Sequence, residues 1–101
     1  MAPRLDLQEL LVEILGSSHV YFQPPPTVSM QYPAIVYKRS GFEYVHADNK
    51  PYNIRTKYQV TVIDKDPDSS IVDKVKALPL CSYDRSYSAD DLNHDVFNLF
   101  F

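Results

Sequence analysis

The chain has 101 residues, enough for one domain with a single modest core. Its formal net charge of -3 argues against nucleic-acid binding as the main function, because that function needs clustered Lys and Arg. No apolar run approaches the length of a membrane span, and a single cysteine, Cys81, excludes an internal disulfide and favours a reducing compartment. These features predict one cytosolic domain, residues 1–101, that does not bind membranes.

Aromatic residues are frequent, with 8 Tyr and 5 Phe. A tyrosine ring packs against apolar neighbours while its hydroxyl stays in contact with water. A small domain rich in tyrosine is therefore predicted to contact other proteins through partly solvent-exposed faces. The apolar segment Val96–Phe101 is expected to lie in a sheet or against a partner, because a free apolar segment promotes aggregation.

The first predicted element is an amphipathic helix that is capped by Asp6 and ends at Gly16. Glu9 lies three residues after Asp6 and completes a capping box. Apolar residues spaced i, i+3, i+4, i+7 and i+8 form one helix face. They are Leu7, Leu10, Leu11, Ile14 and Leu15. A short apolar run, residues 19–22, follows as a short strand, and the three prolines at 24–26 are interpreted as a stiff connector rather than a polyproline ligand.

Two strands are predicted before the middle of the chain. The β-branched and aromatic run Ala34–Arg39 predicts the first, and Ser40-Gly41 is interpreted as a turn into the second, Phe42–Ala47. The residues at 48–51, Asp-Asn-Lys-Pro, have the composition of another turn. This pair is therefore predicted to be a hairpin or meander.

The clearest predicted strand is Tyr52–Ile63, because two kinds of residue alternate along it. One face carries Tyr52, Ile54, Thr56, Tyr58, Val60 and Val62, and the other carries Asn53, Arg55, Lys57, Gln59 and Thr61. A long strand with one apolar face belongs in an antiparallel sheet with helices against that face.

A second helix is predicted after residues 66–69, with Asp66 or Asp68 as its cap and Pro79 beyond its end. Its buried stripe is Ile71, Val72, Val75 and Leu78. The last two strands are predicted around Ser82–Tyr87 and Asp95–Phe101, joined by residues 89–93. The element order is α-β-β-β-β-α-β-β. The predicted fold is α+β: a mostly antiparallel sheet of four to five strands with two helices packed on one face.

Asp64, Asp66 and Asp68 are spaced like the start of a calcium loop. Position six of that loop is Ser69 instead of glycine, and position twelve is Val75 instead of a bidentate Glu. These carboxylates are therefore interpreted as groups at a helix N-terminus, where free N–H groups and the helix dipole favour them.

Two groups of residues contain side chains that are used in catalysis, but neither is favoured as a catalytic site. His94 lies among aspartates at 84, 90, 91 and 95, and His46 is close to Asp48, but no spacing typical of a catalytic metal site occurs. Cys81 with His94 would form a thiol–imidazole pair, but a lone cysteine beside Leu80 is more typical of a small buried hydrophobe. We therefore expect no enzymatic activity, no metal and no cofactor.

Four basic residues, Arg39, Arg55, Lys57 and Arg85, are expected on polar sheet faces beside tyrosines. They are compatible with a weak nucleic-acid patch. Cross-strand ion pairs with Glu43 and the many aspartates are the favoured interpretation.

The chain resembles the small tail-terminator or tail-completion proteins of tailed bacteriophages, also described as minor capsid, neck or head–tail joining proteins. The segments that carry the resemblance are VYFQPP, YPAIVYKRSG, NKPY, KYQVTVIDKDPDS and LPLCSYDRSYSADDLNHDVFNLFF. VTVIDKDPDS and YSADDLNHDVFNLFF are the most distinctive of them. The family's fold is similar to the one predicted above.

The resemblance implies a structural virion protein, assembled in the host cytoplasm, whose copies form a hexameric ring. That ring closes the tail tube and joins it to the head connector, and DNA only passes through its lumen. Alternatives are a neck or head-completion protein (stopper or adaptor), a small cytosolic regulator that binds a host protein, and a small accessory enzyme. The expected subunit or partner interface comprises Asp48, Asn49, Lys50, Tyr52, Arg55, Lys57, Tyr83, Arg85, Tyr87, Leu99, Phe100 and Phe101.

Overall fold

In the part of the chain that the structure describes, five strands form a single sheet, accompanied by two helices. The computed structural model describes residues 3–24, 31–47, 50–66, 68–89 and 91–101, with the backbone alone for 3, 43–47 and 50–55. Its elements are α1 (Pro3–Leu15), β1 (Val20–Phe22), β2 (Ala34–Ala47), β3 (Lys50–Asp64), α2 (Ser70–Lys76), β4 (Cys81–Ala89) and β5 (Leu92–Phe100). The strand order is β1-β2-β3-β5-β4, antiparallel throughout except for the parallel pair β1–β2. This confirms the predicted α+β class and the mostly antiparallel sheet.

Helix α1 begins earlier than predicted. Its first helical residue is Pro3, so Asp6 lies in the first turn and the predicted cap at Asp6 is wrong. Proline suits this position because an N–H there has no partner within the helix. The predicted end is confirmed: Gly16 has φ 78, and its N–H donates to the carbonyl of Val12 at 2.8 Å. Glycine adopts this left-handed conformation without a Cβ clash.

The predicted turn at Ser40-Gly41 is wrong. Strand β2 runs through it without interruption, and the pairing with β3 moves from Arg39–Tyr58 to Gly41–Lys57. Ser40 is therefore the extra residue of a β-bulge, and its hydroxyl donates to the carbonyl of Lys57 at 3.2 Å. The turn predicted at 48–51 includes Asp48 and Asn49, which lie outside the described residues.

Strand β3 confirms the predicted alternation from Tyr58 to Val62, whereas Thr56 and Lys57 are both half-buried and Ile63 is buried beside Val62. Tyr58, Val60 and Val62 are buried, and Gln59 and Thr61 between them are half-buried. With 15 residues, β3 is the longest strand in the described part of the chain, as predicted. A second irregularity in its pairing with β2 lies beside Pro51, which has no N–H to give to the ladder.

Helix α2 is capped by Ser69 and not by an aspartate. The Ser69 hydroxyl accepts the N–H of Ile71 at 3.3 Å. The carboxylates of Asp64 and Asp66 instead accept the N–H groups of Asp66 and Asp68, at 3.1 and 2.9 Å. These two carboxylates therefore shape the turn that precedes the helix. The helix ends at Lys76, and its C-cap is Ala77.

Strands β4 and β5 form a hairpin that is longer than predicted. The predicted five-residue connection, residues 89–93, is reduced to residues 90 and 91, because Ala89 pairs with Leu92 and Ser88 with Asn93. Asp91 takes a left-handed conformation, with φ 61, that Asp tolerates better than most residues. Strand β5 lies between β3 and β4, so the apolar segment from Val96 to Phe100 lies inside the sheet, as expected.

Both helices contribute to one hydrophobic core. Its buried residues are Leu7, Leu11, Val20, Ile35, Tyr37, Tyr58, Val60, Val62, Ile71, Val75, Phe97 and Leu99. Ile14, Val72 and Leu78 pack against this cluster and are half-buried. That the two helices share one face of the sheet stays a prediction. A polar contact also joins α1 to the sheet: the Tyr37 hydroxyl donates to Oε1 of Gln8, whose Nε2 donates to the Val20 carbonyl at 3.2 Å.

Candidate protein-interaction site

Strands β2 and β3 extend beyond the rest of the sheet as a two-stranded arm, residues 42–47 and 50–55. Strand β1 pairs with β2 only from Ile35 to Tyr37, and β5 pairs with β3 only from Lys57 onward. Six residues per strand reach about 20 Å. The extents of the molecule, 50 × 23 × 23 Å, are those of an elongated particle. Among the described strands, residues 43–47 and 50–55 pair with each other and with no third strand.

Strand β4 presents an open edge at the far side of the sheet. It pairs with β5 alone in the described sheet, and every residue from Ser82 to Ala89 is exposed. The pairing with β5 is shifted between Tyr83 and Arg85, so Asp84 is the extra residue of a bulge. Edges of this kind attract further strands unless they are covered.

The outward-facing backbone groups of β4 follow from the alternation of an antiparallel pair. At one end the N–H of Phe100 donates to the Leu80 carbonyl at 3.1 Å, and at the other Ala89 pairs with Leu92 across the two-residue connection. From each end of β4 toward the bulge, successive N–H groups point alternately toward β5 and away from it. The N–H groups of Cys81, Tyr83, Ser86 and Ser88 point away from β5.

Two tyrosines of β4 are exposed. Tyr83, at 55% exposure, packs edge-on against Phe97 with ring centroids 5.5 Å apart. Tyr87, at 47% exposure, stacks on His94 at 4.6 Å, with 12° between the ring planes. Each ring therefore packs on one neighbouring ring and remains about half exposed to solvent.

An apolar groove of about 240 Å³ lies where α1, the end of α2 and β5 meet. Its lining residues are Leu10, Leu78, Pro79, Leu80, Leu99, Phe100 and Phe101. Leu80 is 53% exposed and has φ 58, a conformation that costs a non-glycine residue energy. The groove therefore presents an exposed apolar side chain on a strained backbone.

A polar pocket lies on the β4–β5 hairpin, lined by Ser86, Tyr87, Ser88, Asn93, His94 and Asp95. Burial raises the pKa of the Asp95 carboxyl, and the nearby His94 opposes part of that shift. The side-chain amide of Asn93 donates to the carbonyls of Asp64 and Lys65 at 3.4 and 3.2 Å. Through these two hydrogen bonds Asn93 joins the hairpin to the end of β3.

The predicted interface residues lie in three places. Lys50, Tyr52 and Arg55 are in the arm, where the backbone alone is described, and Asp48 and Asn49 lie outside the described residues. Tyr83, Arg85 and Tyr87 are on the open β4 edge, and Arg85 pairs with the neighbouring Asp84 at 2.8 Å. Leu99, Phe100 and Phe101 line the groove, Leu99 as a fully buried residue. Lys57 is half-buried at the base of the arm.

Sequence reasoning missed Leu10, Leu78, Pro79 and Leu80 as groove residues. Its one available signal was the apolar run Leu78-Pro79-Leu80 directly after a helix, which was interpreted as a helix end. The open β4 edge had no sequence signal, because strand order in a sheet depends on long-range pairing.

Cys81 and His94, whose side chains are described, do not lie together. Cys81 lies opposite Leu99, whereas His94 is five residues back along β5, about 17 Å away. The structure therefore separates the considered thiol–imidazole pair. Burial raises the pKa of the Cys81 thiol, which disfavours the reactive thiolate. Among the described residues, no three His, Cys, Asp or Glu side chains converge as a metal-binding group.

In the cross-strand register, Glu43 faces Arg55. Neither helix of the described chain is long or apolar enough to span a membrane. Comparisons with protein families, curated proteins and solved structures yield no match.

Proposed function

We propose that this protein is a structural virion protein of a tailed bacteriophage, whose copies form a ring that closes the tail tube and joins it to the head connector. The proposal begins from the resemblance of VTVIDKDPDS and YSADDLNHDVFNLFF to tail-terminator proteins. The first segment spans the end of β3 and the approach to α2, and the second spans most of the β4–β5 hairpin.

The observation that carries the proposal is that, among the described strands, two separate places lack a further partner strand. One is the arm at residues 43–47 and 50–55, and the other is β4. A subunit in a ring uses two different surfaces, one for each neighbour, whereas a symmetric dimer needs only one self-complementary surface. Two separate places of this kind therefore suit a ring.

The groove and the net charge are consistent with the same role. The groove at Leu80 and Phe101 offers an apolar surface for a tail-tube or connector protein. The net charge of -3 suits a ring through which DNA passes, because the chain lacks the excess of positive charge that would retain the phosphate backbone.

A neck or head-completion ring, as stopper or adaptor, is the second candidate, because the same surfaces serve a ring at either layer. The exposed groove also keeps the regulator alternative open, in which one host protein binds a monomer. The two candidates differ from the regulator in one measurable respect: they require the protein to be present in the finished virion.

Electron microscopy of phage lacking this protein tests the proposal. A tail-closing ring predicts filled heads together with separate tails of abnormal length. A neck ring predicts tails of normal length with heads that lose their DNA. Mass spectrometry of purified wild-type virions should detect several copies of the chain per particle.

Joined, infectious virions from a complete knockout would overturn both virion candidates. Absence of the chain from purified virions, with a host protein recovered on it instead, would favour the regulator.

A further inference from the structure

We propose that two copies of this chain pair through their β4 strands, antiparallel about a two-fold axis at Tyr87, so that two five-stranded sheets join into one. The inference goes beyond the proposed function, because it concerns the free protein and does not require a virion. Such a contact is isologous: the same surface serves both copies. Each copy adds a strand to the other's sheet through backbone hydrogen bonds.

Strand β4 is accessible to a second copy along its length. It lies at the border of the sheet opposite β1 and pairs with β5 alone in the described sheet. Every residue from Ser82 to Ala89 is exposed. The ring contacts of its two tyrosines are made to β5, and the ion pair of Arg85 is made to Asp84 within β4. An incoming strand therefore displaces solvent from this edge.

The regular stretch of β4, Arg85–Ala89, determines the register of the pair. Ser86 and Ser88 carry its outward N–H groups, and the carbonyl of each points to the same side. With Tyr87 on the axis, each Ser86 lies opposite the partner's Ser88, so both outward N–H groups of each copy reach a carbonyl. An axis at Ser86 would bring Ser88 opposite the bulged Asp84, and an axis at Ser88 would bring Ser86 opposite turn residue 90.

The ring of Tyr87 is oriented for a contact across this axis. It stacks on His94 of β5 with 12° between the ring planes, so its other face points toward the open edge. The ring is 47% exposed. In the proposed register it lies directly opposite the partner's Tyr87, at the distance where cross-strand aromatic pairs stabilise a sheet. The two rings would cover the exposed faces of each other.

Charge complementarity favours a second copy at this edge over a strand of another protein. Arg85 lies on the same side of β4 as Tyr87 and would be opposite the partner's Ala89. The next two residues in the partner's sequence, 90 and 91, are both aspartates. The Arg85 guanidinium uses one nitrogen for Asp84, at 2.8 Å, and has further N–H groups to donate. Each copy therefore brings one cation to the other's acidic turn.

Sedimentation velocity over a concentration series tests the pair. Wild-type protein should convert from monomer to dimer with a Kd between about 10 μM and about 1 mM, and should stop at the dimer. Weak affinity is expected because the contact comprises five residues per copy, whereas a stable interface has about 20–30 residues a side.

Tyr87→Lys tests the position of the axis. It places two ammonium groups opposite each other and should weaken pairing at least about tenfold. Tyr83→Lys is the matched control, because it makes the same exchange at the other exposed tyrosine of β4, beyond the bulge and outside the contact. It should pair at least as tightly as wild type. Far-ultraviolet circular dichroism checks that both variants are folded.

A mixture of variants tests the two-fold symmetry. Tyr87→Glu alone should also weaken pairing, because it opposes two carboxylates. An equimolar mixture of the Tyr87→Glu and Tyr87→Lys proteins should pair at least about tenfold more tightly than either protein alone. This rescue requires that residue 87 of one copy lies opposite residue 87 of the other.

Amide hydrogen exchange by NMR tests the register without any substitution. On raising the concentration of wild-type protein, protection should increase at Ser86 and Ser88. It should not increase at Cys81 and Tyr83, whose outward N–H groups lie on the other side of the bulge.

Four results would overturn the inference. They are a wild-type monomer up to about 1 mM, pairing of the Tyr87→Lys protein equal to wild type, a mixture that pairs no better than its components, and concentration-dependent protection of Cys81 and Tyr83. None of these decides the phage experiment, which depends on the virion phenotype. Failure of the pair and failure of the proposed function are therefore separable.

Discussion

The body of the sheet and the arm are built from the same two strands but are held in different ways. In the body, Tyr37 of β2 and Tyr58 and Val60 of β3 are buried in a core to which both helices also contribute. In the arm, the continuations of those strands pair only with each other within the described chain. A two-stranded ribbon alone is marginally stable in water. We therefore expect the body to determine the stability of the fold and the arm to add little to it.

The largest expected effect is in the body. Phe97→Ala removes a ring that is 1% exposed and contacts Tyr83, and should lower the free energy of unfolding by about 3–5 kcal/mol. Phe101→Ala, at a residue 37% exposed, is the control and should cost less than about 1 kcal/mol. Urea denaturation measures both. Equal losses would mean that the body does not dominate stability.

The cap of α2 should have the next largest effect. Ser69→Ala removes the acceptor of the Ile71 N–H and should cost about 0.5–2 kcal/mol. Asp66→Ala removes only a turn contact and should stay within about 0.5 kcal/mol of wild type. Thermal melting compares them, with and without a calcium chelator. A larger loss for the Asp66 variant, or a melting temperature sensitive to the chelator, would contradict this assignment.

A smaller, pH-dependent effect is expected at Tyr37, which fastens α1 to the body. Burial raises its pKa above the usual value of 10.0, although the Arg4 guanidinium opposes part of that shift. The contribution of this residue to stability is therefore complete below pH 10 and is lost as the pH rises through the folded-state pKa.

Tyr37→Phe removes the hydroxyl that donates to Gln8 and should cost about 1 kcal/mol at pH 7. That cost should shrink above the pKa of an unfolded tyrosine, about 10. Denaturation midpoints measured from neutral pH to above pH 10 test this. Parallel curves for the two proteins would rule out Tyr37 as the titrating group.

The smallest effect is expected from the arm itself. Replacing residues 44–54 by Asn-Gly should change the unfolding free energy by less than about 1 kcal/mol, because an isolated ribbon adds little. Denaturation of the dilute monomer measures it. A loss comparable to that of Phe97→Ala would erase the distinction between body and arm.

The spacing of apolar residues along the sequence predicted individual strands and helices and the faces that they bury. The alternation along β3 and the apolar spacing along α1 were sufficient to place Val60 and Leu11 in the core, because a strand repeats every two residues and a helix every 3.6. Element class and order were therefore accessible, apart from the interpretation of one bulge as a turn.

That misinterpretation has a physical cause. Ser40-Gly41 has the composition of a turn. The strand continues through it because Gly41 pairs with Lys57, sixteen residues away in the sequence. The choice of Ser69 over Asp66 or Asp68 as cap has a similar origin. All three residue types cap helices, and the packing of Ile71 and Val75 determines where the helix begins.

The candidate site was accessible only in part. The tyrosines of β4 and the apolar Phe100 were predicted interface residues from their residue types alone. The open β4 edge was not predictable in the same way, because it depends on which strands lie at the border of the sheet.

The central position of β5 affects the order of folding during synthesis. Strand β5 comes last among the seven elements but lies between β3 and β4, and its Leu99 pairs with Tyr58, 41 residues earlier. Until residues 92–100 have left the ribosome, β3 lacks its neighbour on that side and β4 has no partner strand. Such a chain completes its sheet late, and the edge strand β4 pairs last. Any contact made through β4 therefore requires that the body of the sheet has already formed.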